Sequence, residues 1–62
     1  MPDFFPVSLE EEIAAVEREI SLRKRVYPGR VLSNRMKADR AEREIQCMEA
    51  VLERLKRLKE SR

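Results

Sequence analysis

The sequence predicts an all-α fold, a two-helix antiparallel hairpin that pairs with a second copy into a dimeric four-helix bundle. Three observations lead there. Charged residues make up 42% of the chain and hydrophobic residues another 42%, with one Gly and no Trp, the mixture of long amphipathic helices. Two stretches carry apolar residues at alternating three- and four-residue spacing, separated by a short segment that holds Pro28 and Gly29. The chain has 62 residues, enough for one domain, 1–62, that buries too little surface to be more than marginal alone.

Small domains recover stability through disulfides, a metal or oligomerisation. The single cysteine, Cys47, excludes an intramolecular disulfide. With no histidine and one cysteine, no zinc site of ordinary ligand type can form, and neither a metal nor a cofactor is expected. Oligomerisation remains, so the first expected partner is the chain itself, as a homodimer.

Residues 1–7 read as an N-terminal arm. Pro2 and Pro6 oppose a helix there, and Phe4 and Phe5 are the only phenylalanines. They either cover one end of the core or present an aromatic anchor to a partner.

Helix 1 is expected over residues 8–27. Ser8 and Glu11 stand at capping-box spacing, and Glu10, Glu11 and Glu12 complement the positive end of the helix. Leu9, Ile13, Val16, Ile20 and Tyr27 follow a heptad-like seam in which Arg23 takes one position. Ala14, Ala15, Leu22 and Val26 flank it. Pro28 disfavours helical geometry at Tyr27, so the helix should stop near Val26.

The bend is expected over 28–36. Pro28 suits the start of a short turn, and Asn34 is the residue best able to take a left-handed conformation. Val31 and Leu32 are expected to tuck back and close the end of the hairpin. Helix 2 is expected over 37–60, with Ala38, Ala41, Ile45, Met48, Leu52 and Leu55 in its seam and Val51 and Leu58 widening one side. The short connection implies antiparallel packing, of about nineteen residues against about twenty-four. Both stripes are wider than a two-helix seam needs, and pairing of two hairpins would bury both edges.

The net charge of +2 conceals an asymmetry: residues 1–22 carry −5, residues 23–43 carry +6 and residues 44–62 carry +1. An antiparallel hairpin lays Glu10, Glu11 and Glu12 beside Lys56, Arg57 and Lys59. Around the bend stand Arg23, Lys24, Arg25, Arg30, Arg35, Lys37, Arg40 and Arg43 with little acidic offset. A partly buried unpaired Arg23 would be costly, and Glu44 is its expected partner. The other bend cations form either a solvated end or a surface for an acidic protein face, with nucleic acid as the third reading.

Catalysis finds little support. The commonest acid–base group is missing, Cys47 has no imidazole to activate it, and one glycine cannot build a phosphate-binding loop. The chain is therefore expected not to be an enzyme. No apolar run is long enough for a membrane span, and the N-terminus lacks a signal-peptide pattern, so a cytoplasmic, non-membrane setting is expected.

Several of these residues also carry a resemblance. Glu17-Arg18-Glu19-Ile20, Arg23, Val26-Tyr27-Pro28, Val31, Arg35-Met36, Ala41, Glu44-Ile45 and Met48, spread over residues 13–55, resemble the pattern of a family of small phage and prophage proteins that includes a quorum-sensing anti-activator. The Val-Tyr-Pro bend followed by Arg-Met is the specific part. The sequence departs from that pattern at Asn34, where glycine is common, at Lys37, where a capping serine is common, and in its Phe4-Phe5 arm. The resemblance implies dimeric helical hairpins that inhibit a host protein such as a transcriptional regulator. The residues expected to meet that partner are Phe4, Phe5, Arg30, Arg35 and Arg40. Ile13, Val16, Ile20, Tyr27, Ile45, Met48, Leu52, Leu55 and Leu58 are expected to form the core and the dimer contact. A nucleic-acid-binding accessory role and a structural role in assembly are the alternatives.

Overall fold

A computed structural model of the chain describes residues 6–61. Two helices, α1 (Leu9–Leu32) and α2 (Ala38–Glu60), pack side by side as an antiparallel hairpin with extents of 46 × 22 × 15 Å.

The start of α1 is the reciprocal cap expected from Ser8 and Glu11. The Glu11 backbone N–H donates to Ser8 Oγ at 3.1 Å, and the Ser8 N–H donates to Glu11 Oε1 at 2.9 Å. The Ser8 backbone N–H, and after it the Ser8 hydroxyl, hold the Glu11 carboxyl below its ordinary range. The sign of the linkage follows. A depressed folded-state pKa contributes stability above the unfolded value, and the contribution is lost as pH falls through the folded value. Acidification through the carboxylate range should therefore loosen the first turn of α1. Glu11→Gln should flatten that part of the pH profile, as amide exchange at residues 9–12 would report.

The end of α1 corrects the expected boundaries. The helix does not stop at Tyr27 but passes through Pro28 and continues to Leu32, so the bend is residues 33–37 rather than 28–36. The two helices are nearly equal, at 24 and 23 residues. Proline's steric bias is local and worth about 3 kcal/mol in a helix interior. It is opposed by a seam that continues past it through Tyr27 and Val31, and by a strong stop signal beyond it. The Asn34 N–H donates to the Val31 carbonyl at 3.1 Å and the Arg35 N–H to the Arg30 carbonyl at 2.9 Å, while Asn34 sits at φ 62°. This is the Schellman arrangement, in which a left-handed residue lets its own N–H and the next one satisfy orphan carbonyls. Asn34→Ala keeps the backbone demand and removes the side chain that tolerates it. It should cost about 1 kcal/mol, read as a lower midpoint in urea unfolding.

The bend also corrects the expected closure by Val31 and Leu32. Val31 is half-buried, but Leu32 is 87% exposed, because extending α1 turns residue 32 away from the seam. Helix α2 starts at Ala38, with Lys37 in the N-cap position and no side-chain cap, and Asp39 Oδ1 instead accepts from the Arg40 N–H at 2.8 Å.

The interior is thin. Among the described residues only Ile13, Ile20 and Ala41 are buried. Leu9, Val16, Tyr27, Ile45, Met48, Leu52 and Leu55 line the seam half-buried, whereas Ala38 is exposed. Ala41, the buried small residue of α2, lies near the bend, where small side chains permit close approach of the two helices.

Candidate functional site: the ion-paired seam and the basic bend

Arg23 organises the middle of the hairpin. Its Nε donates to Glu19 Oε2 at 2.8 Å, and its Nη1 donates to the Glu44 carbonyl at 3.2 Å and to Glu44 Oε1 at 3.4 Å. Arg40 adds a longer contact to Glu44 at 3.5 Å. The seam cation thus finds the partner that its position demands, plus a second on its own helix. The Glu19 hydrogen bond is the main reason that the Arg23 guanidinium is raised above its ordinary pKa, so it stays charged at any physiological pH.

Tyr27 is the second organising residue. The guanidinium carbons of Arg23 and Arg30 lie 6.0 and 5.8 Å from its ring centroid, at the outer limit of cation–π contact. The spacing explains this: Arg23 precedes Tyr27 by four residues and Arg30 follows it by three, both neighbours on a helix surface. The ring is half-buried. Beside it, Pro28, Val31, Ala38, Ala41 and Ile45 line an open apolar groove at the bend, rimmed by Lys24 and Glu42.

The cations expected to meet a partner are not equivalent. Arg30 lies at the edge of cation–π range from Tyr27, and Arg40 is 72% exposed while loosely held by Glu44. The Arg35 side chain is exposed and makes no ion pair among the described residues. The same holds for Arg25, Lys37 and Arg43, which extend the basic end further along both helices. Phe4 and Phe5 lie outside the described residues.

The acidic first turn does lie beside the end of α2, since Glu10 lines one groove with Lys56 and Lys59, but the ion pairs of Lys56 and Arg57 go elsewhere. Lys56 instead meets Glu17, at 3.7 Å, and Arg57 meets Glu53 on its own helix, at 3.1 Å. Lys24 reaches Glu49 at 3.2 Å. Glu17 and Lys24 are seven residues apart, as are Glu49 and Lys56, so these two bridges mark one face of the hairpin. The Glu19–Arg23–Glu44 network marks the other.

Among the core and dimer candidates, Ile13 and Ile20 are buried and Val16, Tyr27, Ile45, Met48, Leu52 and Leu55 half-buried. Leu58 is 55% exposed and contributes little to the interior of a single chain. Cys47 is an exposed free thiol. Among the described residues no group of three metal-ligating side chains occurs, and no helix is long and apolar enough to cross a membrane. Compared with family models, with curated proteins and with solved structures, the chain finds no match.

Proposed function

We propose that this chain is a protein-interaction module: a helical hairpin that completes its core by self-association and acts by covering the surface of another protein. The observation that carries the reading is the unfinished interior. Among the described residues only Ile13, Ile20 and Ala41 are buried, while Leu22, Val51 and Leu58 stay 42%, 41% and 55% exposed. A chain this short is marginal alone, and a second copy would supply the burial that the hairpin lacks.

The covered protein is taken to present an acidic face. Arg25, Arg35, Lys37 and Arg43 supply cations that no described side chain neutralises, and exposed charge of one sign steers encounter with its opposite. A narrower reading, a phage-type inhibitor of a host regulator, rests on the resemblance of the Val26-Tyr27-Pro28 and Arg35-Met36 segments alone. Mechanistically such a module inhibits by occupancy and needs no chemistry of its own.

Sedimentation at micromolar concentration tests the self-association and should return twice the chain mass. Affinity capture from host lysate, with wild type beside an Arg25→Glu/Arg35→Glu/Arg43→Glu variant, tests the second part. A protein held by the wild type and lost by the variant is expected. Recovery of nothing but the chain itself, across several hosts, would count against it. The same cations also favour nucleic acid as a second reading. Titration of duplex DNA at two salt concentrations separates the two, since phosphate binding must weaken steeply with salt.

A further inference from the structure

The two faces of the hairpin differ in what they leave uncovered. One is crossed by Lys24–Glu49 and Lys56–Glu17 and is charged along most of its length. The other carries the Arg23 network. Leu22 and Val26 follow Glu19 by three and seven residues on α1, so they share its side of the helix. Val51 and Leu58 follow Glu44 by seven and fourteen residues on α2, so they continue its line. Leu22 is 42% exposed, Val51 41% and Leu58 55%, and Val26 is half-buried. Most of the large apolar side chains that the helices leave exposed therefore lie on one face, around an ion network.

That network does not prevent burial. Glu19, Arg23, Arg40 and Glu44 sum to zero charge, and Arg23 already has hydrogen-bond partners on both helices. A neutral, internally bonded group can be covered without stranding an unpaired charge, which is the expensive case.

Charge along the hairpin then selects an orientation. The bend half, residues 21–48, carries +5, and the described part of the open half, residues 6–20 and 49–61, carries −3. Two hairpins stacked with their bends together would place +5 on +5. Stacked end for end, each basic half meets an acidic one. Helix dipoles do not discriminate, because facing helices run antiparallel in both arrangements. The side-chain charges do.

We propose that a second copy of this chain docks on the Leu22–Val26–Val51–Leu58 face with its helices reversed end for end, so that the basic bend half of each copy lies beside the acidic open half of the other. This rests on the self-association proposed above and adds the face and the orientation.

The orientation can be measured with spin labels in a Cys47→Ser background. One pool carries Arg35→Cys at the bend and another Ser61→Cys at the open end, both exposed sites. In the reversed dimer the bend-to-bend distance should be about 35 Å, the length of a 23-residue helix. Mixed bend and open-end labels should lie at less than half that. A short bend-to-bend distance in a particle of twice the chain mass would overturn the orientation and leave self-association standing. A particle of single chain mass would overturn both. For the face, Leu22→Arg should weaken association at least tenfold while helical circular dichroism persists. Unchanged association would overturn the choice of face. Raising salt should weaken the dimer, and a dimer that tightens with salt would contradict the charge pairing.

Discussion

Ile20→Ala is expected to remove most of the helical signal of the chain at 25 °C. Ile20 is 7% exposed and one of three buried residues among those described. Truncating a buried isoleucine to alanine costs about 2–5 kcal/mol, through lost transfer energy and the cavity left behind. A domain of this length has roughly 3–9 kcal/mol in total. The substitution therefore consumes a large share of the stability, where the same change in a domain of three times the size would be tolerated. Ile20 also sits one turn before Arg23, and its loss loosens the helix contact that holds Arg23 against Glu44. Circular dichroism at 222 nm, measured across a tenfold range of concentration, checks both the loss and its origin. If a second copy completes the core, part of the lost signal should return at high concentration by mass action. Full helicity at micromolar concentration would show that stability resides in the helices themselves rather than in their contact.

What could be read from the sequence was what repeats or what is local in two or three residues. The seam through Ile13, Val16, Ile20 and Tyr27 follows from spacing, because burial on a helix obeys a fixed period. The Ser8–Glu11 cap and the left-handed Asn34 follow from side-chain chemistry at single positions. The Arg23–Glu44 pair follows from the cost of an unpaired seam charge. The end of helix 1 and the place of Leu32 share one physical cause, whereas Arg57 simply takes the nearer carboxylate one turn back on its own helix, Glu53. The effect of Pro28 is local, and the longer seam overrides it, carrying α1 through Pro28 to Leu32. Lys56 stands between Glu10 and Glu17, and which of them it pairs with depends on the register of the two helices. A sequence signal did exist. Arg23, Tyr27 and Arg30, at spacings of four and three, are neighbours on one face of a continuous helix, and that pattern argues for helix straight through Pro28. The unequal standing of Arg30, Arg35 and Arg40 was not legible, because it depends on which neighbours each guanidinium meets.

Pro28→Ala is the complementary test, and it is expected to stabilise. Residue 28 lies inside α1 with an exposed side chain, so alanine fits the backbone already present. Proline there cannot donate to the carbonyl of Lys24, one turn back, and its ring crowds that carbonyl. The helix-interior difference from alanine is about 3 kcal/mol. Against it stands the freedom that alanine restores to the unfolded chain, about 0.4–1 kcal/mol. The net expectation is a gain of about 2 kcal/mol, a rise in melting temperature on the order of 10 °C for a domain of this size. Melting must be followed at one fixed chain concentration, since self-association moves the midpoint by itself. The size of the gain also reports on the groove. Pro28 lines it beside Tyr27, Val31 and Ala41, and a ring packed there by a partner would lose contact area on truncation. A rise in the melting temperature together with unchanged association would place the partner elsewhere, on the Leu22–Leu58 face. A fall in the midpoint would mean that the proline ring is itself a contact, and that a helix with a missing hydrogen bond has been kept for the surface it presents.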